Sequence, residues 1–342
     1  MNFSILGPIP SAEEILRRYP LSQSLRTLKH ERDEAIRAVF NEQSDRLILV
    51  VGPCSADLED SVCAYTERLG RLQERVADRL ILIPRIYTNK PRTDCSGYKG
   101  ILHQPDPEKE PDIAGGLLAL RHMHIRSMEQ SGLTAADEML YPENHVYLDD
   151  VLSYVAIGAR SVENQQHRLT ASAISQPAGM KNPTSGDLSV MLHAIYAARQ
   201  SHVFTYQGQA VKTAGNPLAH AVLRGAVNKY GQNQPNYHFE DLKILAAMFD
   251  ERQIEHPACL IDTNHANSNK QFDEQPRIAL EVMHSRRHSP EIRQLVKGFM
   301  IESYLEEGCQ SVNQHVFGRS ITDPCMGWTS SEDLILRIAD LA

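Results

Sequence analysis

The stretch Leu47-Ile48-Leu49-Val50-Val51, running straight into Gly52-Pro53-Cys54-Ser55, decides how the rest of the chain is read. Consecutive aliphatic residues make a short strand, Gly52-Pro53 ends it, and a thiol and a hydroxyl follow at once. The pattern recurs. Apolar runs of strand length at 80–86, 135–140, 155–159, 178–181, 202–206, 258–262 and 299–303 alternate with longer amphipathic stretches, such as 60–75, 114–130, 188–199 and 239–251. Eight strands, most followed by a helix, predict a closed parallel sheet rather than an open one. The expected fold class is therefore α/β, a single (β/α)8 TIM barrel over 43–342 behind an N-terminal helical extension, 1–42. Within that extension Ser11-Ala12-Glu13-Glu14 has the form of a capping box. The polar stretches 228–237 and 284–290 read as surface loops.

In such a barrel the carboxyl ends of all the strands converge on one face, where active sites are built. The first strand delivers Cys54, the second Arg85 and then Lys90-Pro91-Arg92-Thr93. Glu138 ends the third, Arg160 the fourth and Lys181-Asn182 the fifth. Arg224-Gly225 follows the sixth, Asp262 and His265-Ala266-Asn267 the seventh, and Glu302-Ser303 the eighth, with Asp323 just beyond. Arg85, Lys90, Arg92, Arg160, Lys181 and Arg224 would repel one another on one rim unless multiply charged anions bind there. Cys54, His265, Glu302 and Asp323 combine soft, borderline and hard donors, a mixture that suits Mn, Fe, Co or Zn better than Mg or Ca. A lone strand-end Cys is usually a small buried hydrophobe, and a lone Arg often serves an ion pair. Here that bland account must hold separately at every strand end. Cys63 and Cys259, within a helix and a strand, are assigned to packing.

Composition excludes several classes. A net charge of -8 over 342 residues offers no nucleic-acid surface, though a few cations focused in a cleft can still gather anions. No apolar run approaches the roughly 20 residues of a membrane span. The segment Met1–Pro10 lacks the basic and apolar regions of a signal peptide, and six scattered cysteines do not form a disulfide framework. The expected setting is the reducing cytoplasm.

The motifs Gly52-Pro-Cys-Ser55, Lys90-Pro-Arg-Thr93, Gly158-Ala-Arg160, Lys181-Asn182, Leu223-Arg-Gly225, His265-Ala-Asn-Ser268, Glu302-Ser303 and Ser320-Ile-Thr-Asp-Pro-Cys-Met-Gly-Trp328 together resemble those of the type I 3-deoxy-D-arabino-heptulosonate 7-phosphate (DAHP) synthases. The likeness runs from Ala12 to Ala342. It implies condensation of phosphoenolpyruvate with erythrose 4-phosphate and water, giving DAHP and phosphate, the first step of the shikimate pathway or its counterpart in a secondary-metabolite route. It implies a divalent metal on Cys54, His265, Glu302 and Asp323. It further implies that Arg85, Arg160, Lys181 and Arg224 grip phosphoenolpyruvate, with Glu138 also among the substrate-binding candidates. Lys90 would sit beside the reacting carbon, and Arg92 and Thr93 at the acceptor's phosphate. Lys90, His265 and Cys54 are thus the catalytic candidates, with Lys90 expected to serve in proton transfer if burial among cations lowers its pKa.

The chain departs from that branch near the acceptor end. An extra residue follows Thr93, and Pro183 and Ser185 replace Gly and Asp. The same chemistry on another phosphorylated aldose is therefore the alternative, and a catalytically silent barrel a remoter one. Few residues precede Gly7-Pro8-Ile9-Pro10, and His145-Val146 replaces a Pro-Gln pair near Ser175, an effector-site position. Weak or absent inhibition by aromatic amino acids is expected, and a homo-oligomer that is a dimer rather than a tetramer.

Overall fold

Eight parallel strands form one sheet in a computed structural model describing residues 2–92 and 96–342. In chain order they are β1 (Leu47–Gly52), β2 (Leu80–Pro84), β3 (Ala135–Glu138), β4 (Leu152–Ile157), β5 (Ala178–Lys181), β6 (His220–Leu223), β7 (Cys259–Asp262) and β8 (Val296–Glu302). Their spatial order is β2-β1-β8-β7-β6-β5-β4-β3. The remaining seam closes where Arg85 bridges Ala136 in parallel and Ile86 N–H donates to Ala136 O at 2.9 Å. The sheet is a (β/α)8 barrel.

Period-two alternation distributes the aliphatic residues to two cores. Ile48 and Val50 of β1 join Ile81, Ile83, Ala136, Tyr154, Val222, Leu260 and Met300 inside the barrel. Leu47, Leu49 and Val51 face outward, packing with residues such as Val62, Leu69 and Leu72 from the helical layer. That layer includes α3 (Glu59–Val76), α4 (Ile113–Ser131), α5 (Gln165–Ala171), α6 (Leu188–Arg199), α7 (Phe239–Glu251), α8 (Gln275–His288), α9 (Pro290–Leu295) and α10 (Trp328–Leu341). Caps fix the ends of α4: Asp112 accepts Gly115 N–H at 2.9 Å, and Gly132 closes it at φ 65°.

The N-terminal segment forms α1 (Ala12–Arg18) and α2 (Gln23–Phe40). The expected capping box exists: Ser11 N–H donates to Glu14 Oε2 at 2.7 Å, and Glu14 N–H to Ser11 Oγ at 3.2 Å. From α2, Ile36, Val39 and Phe40 belong to the barrel-interior core, and the Phe40 ring lies 4.4 Å from that of His220 on β6.

Two expectations are corrected. The run at 202–206 is not a barrel strand. Val203–Tyr206 pairs antiparallel with Gln209–Lys212, turning at Gln207 and Gly208, both at positive φ. Its residues are exposed or half-buried, whereas His220–Leu223, the true sixth strand, is buried throughout. The β-branched and aromatic side chains of the hairpin give the stronger strand signal, but a twisted two-residue turn, one exposed face and one half-buried face suit a surface ribbon. The stretch 284–290 is likewise not a loop. The helix α8 continues to His288, and Ser289 then caps α9, whose first residue is Pro290.

Candidate active site

Every strand carries its functional group to one rim. Gly52 is required where β1 passes β2, since a Cβ there would lie 2.4 Å from Arg85 O. That close approach lets the Arg85 guanidinium reach back: Nε donates to Pro53 O and Nη2 to Cys54 O, both at 3.0 Å. Nη2 also meets Glu302 Oε1 at 2.9 Å. The third nitrogen, Nη1, is buried without a partner, as is Nη1 of Arg224 at the end of β6. Buried donors left unsatisfied are unfavourable, and both arginines line a cleft of about 500 Å³. Lys90, Arg92, Arg160, Lys181 and Lys270 line the same cleft, against Glu138 and Asp323 as the carboxylates among the described residues. Such a cleft is built for an anion with several charges.

Tyr87, two residues beyond Arg85, supports the donor end. Arg85 lies 3.7 Å and the Lys181 ammonium 5.7 Å from its ring centroid. Lys181 is also 3.4 Å from Asp262 and 3.8 Å from Glu138. Arg224 is oriented through its backbone, which donates to Asn182 Oδ1 at 2.9 Å; Asn236 Nδ2 shares that oxygen at 3.1 Å. Arg92 Nε donates to Tyr98 O at 2.9 Å, and Arg160 is exposed at the mouth. Thr93 lies outside the described residues.

The second group of predicted residues also converges. Donor atoms of Cys54, Glu302 and Asp323 all lie within 4.8 Å of one another. Cys54 Sγ is 3.4 Å from Asp323 Oδ2, a separation two ligands of one ion would have. His265 stands at the edge of this set, with Nε2 3.8 Å from Glu302 Oε1. Its ring is held from behind, with Nδ1 2.9 Å from Asp262 Oδ2, on a backbone at φ 55°. The donor set fits a cation: Lys90 Nζ lies 2.6 Å from Cys54 Sγ and 3.0 Å from Asp323 Oδ2, while Lys270 covers Oδ1 at 3.1 Å. Burial, and next Glu302, push the Cys54 thiol above its ordinary pKa; Lys90 and Arg85 oppose them.

Lys90 departs from expectation. Burial does depress its ammonium, but Cys54, Asp323 and Glu302 more than offset it and hold Lys90 above the ordinary lysine range. Its close neighbours are the Cys54 sulfur and the Asp323 carboxylate rather than the cations that the sequence suggests. The supporting roles of Tyr87, Asp262, Asn236 and Lys270 were not assigned from sequence, where Asp262 stands only as the end of the seventh strand. The only available signal was the i, i+2 relation of Tyr87 to Arg85 and the i, i+3 relation of Asp262 to His265. Cys63 and Cys259 are buried packing residues, as expected.

Comparison with known proteins fits this geometry. The DAHP synthetase I family model matches residues 26–335. The chain belongs to the DAHP synthetase I family. It is 35% identical to the Trp-sensitive phospho-2-dehydro-3-deoxyheptonate aldolase of Enterobacter agglomerans, covering 98% of this chain and 95% of that one. The Haemophilus influenzae phospho-2-dehydro-3-deoxyheptonate aldolase is also 35% identical, with 98% and 91% covered. A solved aldolase of that name from Francisella tularensis superposes with a TM-score of 0.91 at 29% identity, covering 99% of this chain and 98% of that one. Among the described residues of this DAHP synthetase I family member, no helix is long and apolar enough to cross a membrane.

Proposed function

We propose that this chain condenses phosphoenolpyruvate with erythrose 4-phosphate and water, releasing phosphate and DAHP. The observation that carries the reading is the pair of unpartnered Nη1 atoms, on Arg85 and Arg224, in a cationic cleft beside the Cys54–Glu302–Asp323 donor set. With Arg160 and Lys181 they supply enough charge for a substrate bearing both a carboxylate and a phosphate. The Tyr87 face and Glu138 fix the positions of Arg85 and Lys181, so the donor is oriented before the acceptor reacts. Arg92 and Thr93 take the acceptor's phosphate.

In the reaction C3 of phosphoenolpyruvate bonds to the aldehyde carbon, water adds at C2, and the C2–O bond to phosphate breaks. Lys90, held as an ammonium by its anionic neighbours, donates a proton to the aldehyde oxygen as that bond forms. A divalent ion held by Cys54, His265, Glu302 and Asp323 supplies Lewis-acid polarisation of the aldehyde when bound, and Mn, Fe, Co or Zn suits the donor set. Asp262 keeps the His265 ring turned toward Glu302. The enzyme works as a cytoplasmic homodimer.

The deciding experiment incubates the purified protein with phosphoenolpyruvate and erythrose 4-phosphate, following phosphate release and product mass. Arabinose 5-phosphate and ribose 5-phosphate run alongside. Turnover fastest with erythrose 4-phosphate supports the reading. Faster turnover with either pentose phosphate transfers it to another aldose, and no turnover with any of them refutes it. Chelation should abolish activity and one of the four metals restore it; full activity after exhaustive chelation removes the metal from the proposal.

A further inference from the structure

On the face opposite the cleft, the loops entering β1 and β2 meet the ends of α8 and α10, and α9, around a cavity of about 530 Å³. Its lining carries Arg46, Arg79, Arg286, Arg287 and Arg293, with the carboxylates of Asp45 and Asp78 and with Ala342, whose O accepts from Arg79 Nη1 at 3.3 Å. Arg79 is 3.4 Å from Asp78 Oδ2. Among the described residues Arg46, Arg286, Arg287 and Arg293 form no ion pair. Arg46 turns instead to Ser44 Oγ at 3.3 Å and Ala77 O at 3.4 Å. Arg286 has its Nε buried without a partner, and its Nη1 reaches only the Met283 sulfur, at 3.8 Å. Burial and then neighbouring Arg293 pull its guanidinium down to about 10, which still leaves it charged at neutral pH.

A chain of net charge -8 here gathers guanidinium groups without ion-pair partners around one concavity, and the Nε of one of them is buried without a hydrogen bond. Like charges in such proximity are unfavourable unless an anion neutralises them. The condensation makes no use of this face, because barrel chemistry belongs to the carboxyl ends of the strands. We propose that the cavity binds a small, multiply charged anion of the diphosphate or bisphosphate-ester class, gripped by Arg46, Arg286, Arg287 and Arg293. Every cation in the lining is Arg, the side chain whose planar fork takes phosphate oxygens two at a time. Among the described residues no aromatic ring lines the cavity to stack a base, so recognition falls on the phosphates rather than on a nucleoside.

The test is calorimetric titration of the full-length protein with inorganic diphosphate, in saturating phosphoenolpyruvate so that the catalytic cleft is filled. A saturable event insensitive to phosphoenolpyruvate and weakened by added salt is expected. Inorganic phosphate should bind the same site more weakly. The double variant Arg286→Gln, Arg293→Gln should weaken diphosphate about 100-fold, roughly tenfold per guanidinium lost. Its condensation rate should be unchanged. The more exposed pair Arg287→Gln, Arg293→Gln repeats the measurement should the first variant fold poorly. Diphosphate binding that survives at full strength in both folded variants, with the catalytic cleft filled, counts against these arginines as the site. Absence of a phosphoenolpyruvate-insensitive event in the unaltered protein, equal affinity in the folded variants, or phosphate binding as tightly as diphosphate would each overturn the proposal.

Discussion

Arg224 and Arg85 differ in how they are held, and this separates the consequences of losing them. Arg224 makes no side-chain ion pair among the described residues, so its guanidinium is free for substrate. Removing it as Arg224→Ala should lower kcat/KM for phosphoenolpyruvate by about 10- to 100-fold, the usual effect of one lost charge-assisted hydrogen bond, with folding intact. Arg85 also neutralises buried Glu302, so Arg85→Ala should cost stability as well as activity. Steady-state kinetics beside thermal melts check both, and an Arg85→Ala protein that melts with the parent would contradict the second role. Asp262 acts at one remove. Asp262→Asn leaves its size unchanged but weakens its hold on His265, and metal affinity should fall by about 10- to 100-fold. A competition titration against a chromogenic chelator reads this without turnover, and unchanged affinity would leave Asp262 no positioning role. At this scale the gathering of the cations in one cleft and of Cys54, Glu302 and Asp323 beside it was legible because these residues stand at strand ends or in the loops just beyond them. Tyr87, Asn236 and the role of Asp262 behind His265 were not, since they arise only when separate segments are brought together.

Among the elements, β6 is the instructive one. Seven barrel strands stand out as apolar runs, but β6 does not: it begins with a histidine and leaves only Ala221, Val222 and Leu223 as its apolar run. That histidine is interior. His220 Nδ1 lies 2.8 Å from Leu218 O, so it donates there, and Nε2 accepts from the Tyr154 hydroxyl at 2.8 Å. Both nitrogens are used by the neutral ring, and burial pushes its pKa down to about 3. The unfolded chain takes up this proton near pH 6.5 while the folded chain refuses it. The stability His220 contributes is therefore complete above about pH 6.5 and is lost as pH falls from there toward 3. The protein should be less stable at pH 5 than at pH 7 by about 2 kcal/mol from this group. Urea midpoints at the two pH values test it, and a folded His220→Gln variant should lose that part of the difference. The hairpin Val203–Lys212 misled for the converse reason: its composition is strand-like, but its surroundings are solvent.

For the molecule as a whole, fold and chemistry could be read from sequence because a barrel repeats one rule eight times. Surfaces follow no such rule, and assembly is less legible. The exposed Phe3, Ile5, Leu6 and Ile9 stand apart from both cores, and under the proposed dimer a second copy of the chain is the expected cover. Sedimentation should give a dimer, and Leu6→Glu should weaken it. A tetramer, or a monomer at micromolar concentration, would count against this. Regulation is expected to be slight. His145 Nε2 is committed to Asp149 at 3.1 Å, and Val146 packs against the larger core. Titrating phenylalanine, tyrosine and tryptophan at sub-saturating phosphoenolpyruvate should not reach half-inhibition at tens of micromolar.

The placement of Ile36, Val39 and Phe40 from α2 within the barrel interior has a consequence for how this chain is cut and rejoined. A fragment starting at residue 43 would open an oily bore to water and should aggregate. A synthetic peptide of residues 1–42, added in trans, would be its stopper. Recovery of soluble, active protein on mixing the two pieces would make α2 a detachable folding partner, usable as a split reporter.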